Sequence, residues 1–511
     1  MKKLLTLMMS CVIVLAVGCS SNTTGDQTAP SDGNNSKITG GIVRTTMPSE
    51  PDHLDPYLSA AADTEAVMNN VFEGLMRFDE EGQLLPQLAT DYAISDDGLT
   101  YTFDIRSGVT FHNGDPMTLE DVIYSYEKLA GLNGQEALSS KFEHLVSIDQ
   151  VDEDTVSFTL SKPTASFLST LIEPVVPSDY EMQASKPIGT GPFAFNSYIP
   201  GQKIVLDRNE TYYDEGRMPS IDQIEFNIMT DENSILMALK SGALDIAQVL
   251  SMSVPAVEKD FTISSYPQNM VQIFALNLDV KPFDDIRVRK AMNYAVDKDL
   301  IINGVVGGYG SKLYTNASPV MGHWYNDLSS NDPYPYNPDE ARRLLAEAGY
   351  PNGFETTIKV PSNYQTHIDT AQVLADMLSQ VGITLNIELI EWGQWLETIY
   401  NGGNYETTII GLAGKLDPHE TFVRYESTYP KNFYHFRNDQ YDALIANALT
   451  ETDEAKRVTL YKEAQQFLAD EAVAVYIMDP HFIVASKPNL KGYTPYPAPY
   501  FDATKLYYTG E

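Results

Sequence analysis

Leu84–Tyr126 reads LLPQLATDYAISDDGLTYTFDIRSGVTFHNGDPMTLEDVIYSY. In its middle, Leu99, Tyr101, Phe103 and Ile105 alternate with other residues, and a period of two places them on one face of a strand. The period then changes. Thr118 stands as an N-cap with Asp121 three residues on, and Val122, Tyr126, Leu129 and Ala130 form the apolar stripe of a helix. A strand and a helix this close together predict a mixed α/β body.

The same two patterns recur along the chain. Val156–Leu160 and Ile383–Ile390 alternate as strands. Asn337–Pro351 reads as a helix capped by Asn337, with Pro338 in its first turn, Leu344, Leu345 and Ala348 buried, and Gly349 and Pro351 ending it. With 511 residues the chain exceeds the roughly 250–300 at which one core stops growing, so two or more lobes are expected. The 43% apolar content excludes a disordered chain, and a net charge of −36 argues against nucleic acid as a partner.

At the front, Lys2 and Lys3 precede an apolar run, Leu4–Val17, that is shorter than the about 20 residues of a membrane span and suits a secretory signal. Ala16-Val17-Gly18-Cys19 resembles the lipobox of bacterial lipoproteins, with alanine where leucine is usual. That resemblance implies a leader over 1–18 and a lipid on Cys19. An ordinary cleaved signal and an uncleaved anchor are the alternatives. Cys11 would leave with the leader, so the mature domain would hold no free thiol, disulfide or zinc–thiolate site. Residues 19–37 are expected to be the lipidated cysteine and a flexible tether, whose polar part, Ser20–Ser36, would reach roughly 20–25 Å.

Catalytic patterns are sparse. The eight histidines form no ligand pair of the His-x-x-x-His kind, and neither G-x-S-x-G nor G-x-x-x-x-G-K occurs. Seventy acidic residues make any glycosidase pair meaningless to single out, and Trp324, Trp392 and Trp395 are the only tryptophans for sugar stacking. Ile188-Gly189-Thr190-Gly191-Pro192-Phe193 reads as a tight structural turn, not a phosphate loop. The chain is therefore expected to be no enzyme and to need no cofactor, a secreted hydrolase being the weaker reading.

The quoted stretch, Gly189–Phe193, Leu206–Phe226 and Phe274–Ile301, with Leu54–Pro56 and Phe72–Leu75 at the front, together resemble the family 5 (peptide/nickel) solute-binding proteins of bacterial ABC importers. The resemblance runs over about residues 40–511. It implies a type II-like, two-lobed periplasmic-binding-protein clamshell with an extra inserted subdomain and a ligand cleft between lobes. By that analogy lobe I takes 38–56, 181–268 and 480–511, the insert 57–180, and lobe II 269–479, with hinge crossings near 268–274 and 476–483. Most signature residues are expected to be scaffold, His112 lying on a surface corner and Arg287 and Arg289 serving a helix start. The implied protein is a monomer, lipid-anchored and extracytoplasmic, that hands its solute to a permease and its ATPase subunits. A sensory or chaperone-like binding protein would leave the same sequence.

The resemblance also points to the cleft. Glu391-Trp392 matches a pair that lines the pocket of oligopeptide binders, and Gly411-Leu412-Ala413-Gly414, with Asp417, matches their following loop. Their ammonium-binding aspartate falls on Gly414, which has no carboxylate; Asp417 is a neighbouring substitute. Asp417-Pro418-His419 instead matches nickel-chelate binders, making His419 a metal contact under that alternative. Lys141 is a positional candidate for clamping a chelator. In lobe I, Ser59, Ala60, Ala61, Ala62 and Asp63 have the spacing of a ligand-contacting loop that reads an extended ligand through its main chain, or they simply lead into a helix. A peptide, a metal chelate and another small solute all remain open as the ligand.

Overall fold

The computed structural model describes residues 36–59, 61–415, 417–498 and 500–510. The leader, Cys19, nearly all of the tether, and Ala60 lie outside them; Lys37 already belongs to a strand, Lys37–Ile38.

The strand expected over Leu99–Ile105 forms as Thr100–Ile105, with Tyr101, Phe103 and Ile105 buried. It lies between Ala89–Ile94 and Thr155–Leu160 in a four-stranded antiparallel sheet, with Leu145–Gln150 at the far edge. The helix Leu119–Ala130 starts as read: Thr118 accepts from the Asp121 N–H, and the Asp121 carboxylate accepts from the Thr118 N–H. Its Tyr126 ring meets Phe158 edge-on at 5.4 Å, which fixes helix to sheet.

A second sheet orders Ile42–Met47, Gln223–Ile228, Lys203–Arg208 and Phe193–Ile199, the first pair parallel and the rest antiparallel. Both sheets share one hydrophobic core. A buried carboxylate braces their junction: Glu73 accepts from Gln87 Nε2 (2.5 Å), Thr190 Oγ1 (2.9 Å) and Tyr212 OH (2.6 Å). Gly189 and Gly191 are glycines because the chain passes close by; a Cβ there would stand 2.2 Å from Val71 O and 2.5 Å from Asn70 O. His112 corrects the expectation of a surface corner. Its Nδ1 accepts from the Gly189 N–H (3.2 Å) and its Nε2 donates to Gly191 O (3.0 Å). Burial holds its pKa down at about 4, so it stays the neutral tautomer those bonds require.

An eight-stranded sheet runs from the first body through the crossings into the other, its main path being Ile246–Gln248, Ala474–Ser486, Met270–Leu276, Thr407–Ala413, Glu355–Pro361, Thr384–Ile390. Along Met270–Leu276, Phe274 and Leu276 enter the core on one face, and Ile273 and Ala275 enter the core on the other. The helix Pro338–Glu347 packs there, capped by Asn337 as read, with Gly349 in the left-handed region at φ +95°. Arg289 is buried and donates to the Phe283 and Glu471 carbonyls, the structural role expected of it.

Two chain crossings join the bodies. Thr262–Pro267 pairs with Ala474–Ser486 from Thr262↔Ser486 to Pro267↔His481; the ladder then stops and resumes at Gln272↔Met478. Prolines 267 and 480 flank the gap, and neither has an N–H to offer. Asn269 turns the chain there at φ +58°. The fully buried Asp479 carboxylate bridges the break, accepting from the Gln268 N–H (3.0 Å), the Asn269 and Met270 N–H groups, and Ser318 Oγ (2.5 Å). Away from the crossings the bodies touch again, where the Ala165 N–H donates to Leu449 O at 3.3 Å.

Burial raises the Asp479 pKa to about 6, against the downward pull of those hydrogen bonds. A carboxyl whose folded value exceeds its unfolded one contributes stability that is full below the unfolded pKa and fades as pH rises through about 6. Asp479→Asn keeps an acceptor and removes the titration. Its stability relative to wild type is expected to improve by up to about 3 kcal/mol between pH 4 and pH 7, measured by urea denaturation; a pH-independent difference would contradict the assignment.

Candidate functional site

The loop after the strand Thr407–Ala413 runs across the mouth between the two bodies. Its base is fixed by His367, whose Nε2 accepts from the Gly411 N–H at 3.0 Å. The ring proton is therefore on Nδ1, and the Gln272 amide 2.9 Å away presents its oxygen. Burial takes the His367 pKa down to about 4, which keeps this arrangement neutral. Gly411 and Leu412 are half-buried here, and Ala413 is exposed.

Gly414 follows, and its N–H donates to Asn269 O at 2.5 Å. A Cβ on Gly414 would stand 2.1 Å from Asn269 Oδ1, so the Asn269 side chain fills the place of any larger residue. The Asn269 amide is oriented by Pro497 O, which takes its Nδ2–H at 3.2 Å. That leaves Asn269 Oδ1 buried with no hydrogen-bond partner.

Asp417 is buried and committed locally. It caps the short helix Pro418–Phe422 by accepting from the His419 N–H (2.8 Å), and it pairs with Arg457 Nη2 at 2.9 Å and 3.0 Å. Arg457 also lies over the rings of Trp324 and Tyr461. His419 is half-buried; its Nδ1 has no hydrogen-bond partner. Desolvation lowers its pKa despite the opposing field of Asp417, so the imidazole is neutral at pH 7. Trp392 stacks on Trp395 at 5.3 Å and meets Tyr364 edge-on, forming an aromatic platform at the rim.

On the opposite body, Lys141 Nζ pairs with Glu173 at 2.6 Å. Burial works to lower the lysine, but Glu173, with Glu420 and Glu65, carries it above the ordinary value. Glu65 is raised by desolvation and feels both Lys141 and Lys415. Charges of the two bodies thus face each other: Glu65, Glu173 and Lys141 on one side, Lys415 and Glu420 on the other. The loop of Ser59, Ala61, Ala62 and Asp63 is tied down by its neighbours. Ser59 Oγ and the Ala61 N–H both donate to Asp52, and Asp63 accepts from Ser49 Oγ. Ala61 O accepts from the Glu65 N–H, which leaves no free main-chain group on Ala61.

Two small cavities flank Gly414. One, of about 10 Å³, is lined by Asn316, Leu412, Gly414, Thr421, Arg424 and Tyr425, among others. The second, also about 10 Å³, reaches both bodies, from Glu81 and Pro497 to Asn269, Met321, Trp324 and Lys415. Sequence reading singled out this loop but not Asn269, Asn316 or Arg424, which border the same cavities. The one local signal was Asn269, an asparagine between a proline-containing strand end and an apolar strand, where a left-handed turn is cheap. Among the described residues no three His, Cys, Asp or Glu side chains come together to hold a metal ion.

Residues 83–433 match the family described as bacterial extracellular solute-binding proteins, family 5. The glutathione-binding protein GsiB of Pectobacterium atrosepticum is 29% identical over 464 residues, 86% of this chain and 89% of that protein. The DppA periplasmic binding protein of Helicobacter pylori, an ABC-transporter-associated protein solved with the peptide STSA, superposes with a TM-score of 0.72 at 26% identity over 93% of this chain and 99% of its own. The ABC transporter substrate-binding protein CtaP of Listeria monocytogenes gives 0.82 at 25% identity, over 92% and 100%.

Gly414→Asp, which would place a carboxylate in the loop, is expected to destabilise the fold by about 1–3 kcal/mol through collision with Asn269. Combining it with Asn269→Gly should recover most of that loss, because glycine accepts φ +58° and vacates the space. Denaturation midpoints of the two single variants and the double variant check this; strict additivity would refute the steric account.

Proposed function

The chain belongs to the family 5 bacterial extracellular solute-binding proteins, the binding components of ABC importers, and on that premise we propose that it captures a peptide or peptide-like solute between its lobes. The family's role is to bind and deliver, so no bond is made or broken. The observation that carries the ligand class is the pairing of charges across the cleft. Glu65, beside the Glu173–Lys141 pair, offers an acceptor for an ammonium group on one side, and Lys415, beside Glu420, offers a donor for a carboxylate on the other. A zwitterionic solute fits such a cleft better than a neutral one does. The names of the relatives, which bind glutathione and a short peptide, point the same way.

In this reading lobe I comprises 38–56, 181–268 and 480–511 with the insert 57–180, and lobe II comprises 269–479. The division is supported by the ladder break at Pro267↔His481 and by the core the insert shares with lobe I. Lobes that turn about the crossings close on the ligand, and the ligand favours closure because only the closed form touches it from both sides. Asp417 holds the loop through Arg457 and does not itself grip the ligand, whereas Gly414, Leu412 and His419 border it. Cys19 carries a lipid, and the tether lets a monomeric receptor sample the surface around its permease. Among the described residues no helix is long and apolar enough to cross a membrane.

One observation favours a second reading. The neutral His419 imidazole with its unpartnered Nδ1 suits a metal chelate as solute, the chelator supplying the remaining ligands.

Thermal-shift measurements with glutathione, a mixed peptide pool, and nickel with excess histidine separate the two. Peptide at 100 times its Kd is expected to stabilise by about 2.7 kcal/mol, a rise of a few degrees, unchanged by His419→Ala. A shift confined to nickel with histidine and abolished by His419→Ala would replace the peptide reading with the metal one.

A further inference from the structure

We propose that the insert carries a closure latch: the end of the helix Asp439–Thr450 on lobe II, with the turn over residues 451–453, seats against Gly98 and Ala165, and this contact sets how long the lobes stay closed. The inference rests on the reading that the lobes turn about their crossings, and it gives the insert a task of its own. Crossings alone leave a rotation free, and a contact off their axis stops it. Two contacts mark the place. The Ala165 N–H donates to Leu449 O at 3.3 Å. Leu449 lies in the last turn of its helix, where carbonyls find no partner within the helix. Two neighbouring carbonyls are met from their own body, Asn447 O by the Glu451 N–H and Ala448 O by Arg457 Nε at 3.2 Å. Leu449 O is met from the other body. Beside it, Gly98 turns at φ +69°, and a Cβ there would stand 3.3 Å from Pro163 Cβ and 3.3 Å from Thr452 Cγ2. The turn of lobe II therefore reaches into the place a side chain would fill.

Both halves of the latch are braced from behind. In the insert, the buried Tyr101 donates to Thr164 O at 3.1 Å, and Phe167 meets the Tyr101 ring edge-on at 4.9 Å. These hold the chain on either side of Ala165. On lobe II, the Arg457 guanidinium that takes Ala448 O also grips both oxygens of Asp417. The end of the helix and the loop bordering the cavities thus share one side chain, and neither moves freely of the other. Gly98, Pro163, Ala165, Leu449 and Thr452 line neither cavity, so a solute there need not displace them. The charges facing each other across the cleft differ in this respect, since Glu65 and Lys415 must exchange one another for the solute. The latch is built of main chain and a methyl group, and it acts whatever the solute's charge.

The test compares wild type with Ala165→Pro, which removes the N–H, and Ala165→Gly, which keeps it. Small-angle scattering gives the radius of gyration of each without solute, and stopped-flow gives the binding and release rates of glutathione. Ala165→Pro is expected to be more expanded than wild type, and Ala165→Gly to match wild type. Glutathione should leave Ala165→Pro about 3- to 10-fold faster, the range one hydrogen bond commands, at an unchanged association rate. Equal radii with equal release overturn the latch and leave solute capture intact. Slower association in Ala165→Pro points to a damaged cleft and overturns the latch as well. If glutathione, tripeptides and nickel with histidine all fail to bind wild type, the capture reading fails, and scattering alone decides the latch: expansion of Ala165→Pro sustains it and equal radii end it. Should Ala165→Pro not fold, Thr452→Trp on the exposed turn replaces it, its ring wedging the turn away from Gly98; the same expansion is expected, and its absence overturns the latch.

Discussion

A single carboxylate with no access to water, Asp479, sits where the chain passes between its two bodies. It takes hydrogen bonds from the main chain of Gln268, Asn269 and Met270 on the other crossing and from Ser318. The strand ladder is interrupted there, so these N–H groups have no carbonyl across from them, and leaving them unpaired would cost about 1–3 kcal/mol each. Asp479 satisfies them from one side chain. A ladder of fixed hydrogen bonds would make the crossing rigid, and bare prolines would leave it loose. One acceptor reaching several donors permits small rotations while the pairing is kept. The orientation of one body against the other, and so the cleft, depends on it.

Asn269 links that crossing to the ligand loop. Its N–H belongs to Asp479, its carbonyl to Gly414, and its Nδ2 to Pro497 of the other body. Any rotation at the crossing must move the loop that borders the cavities. The loop is held at its two ends, through His367 on Gly411 and Arg457 on Asp417, and between them by the Gly414 N–H on Asn269 O and the Lys415 N–H on Thr421 Oγ1.

Much of the scaffold was legible because its signals are local. The alternation at Tyr101 and Phe103, the box of Thr118 and Asp121, and the cap at Asn337 each involve neighbours a few residues apart, and all form as read. His112 was misjudged for the opposite reason. Its partners, Gly189 and Gly191, are more than seventy residues away, and nothing near His112 announces that two glycines will thread beneath it. The loop over Gly411 to Asp417 was singled out through family likeness, and the lack of a carboxylate at Gly414 was plain. Its cause was hidden, since the side chain that occupies the space comes from Asn269, on a strand far off in sequence.

The acidity of the chain and the cations of its cleft act at different distances. A net charge of −36 spread over the surface is screened within about 8 Å at physiological salt, so it serves solubility and slows the approach of anions only modestly. Where the lobes close over a solute the effective dielectric is lower and the screening weaker, so the charges that border the cleft act more strongly there than the net charge does. On the proposed reading the acids facing the cleft would disfavour a solute that carries negative charge alone. Glu65 and Glu173 repel a second negative charge and favour a positive one, and Glu173 already draws on Lys141. A solute carrying both charges relieves both surfaces when the lobes close. One carrying a single charge relieves one and leaves the other desolvated at a cost. On the proposed peptide reading, a preference for a zwitterion would arise from closure itself, because only closure removes the water that would otherwise solvate the unmatched half.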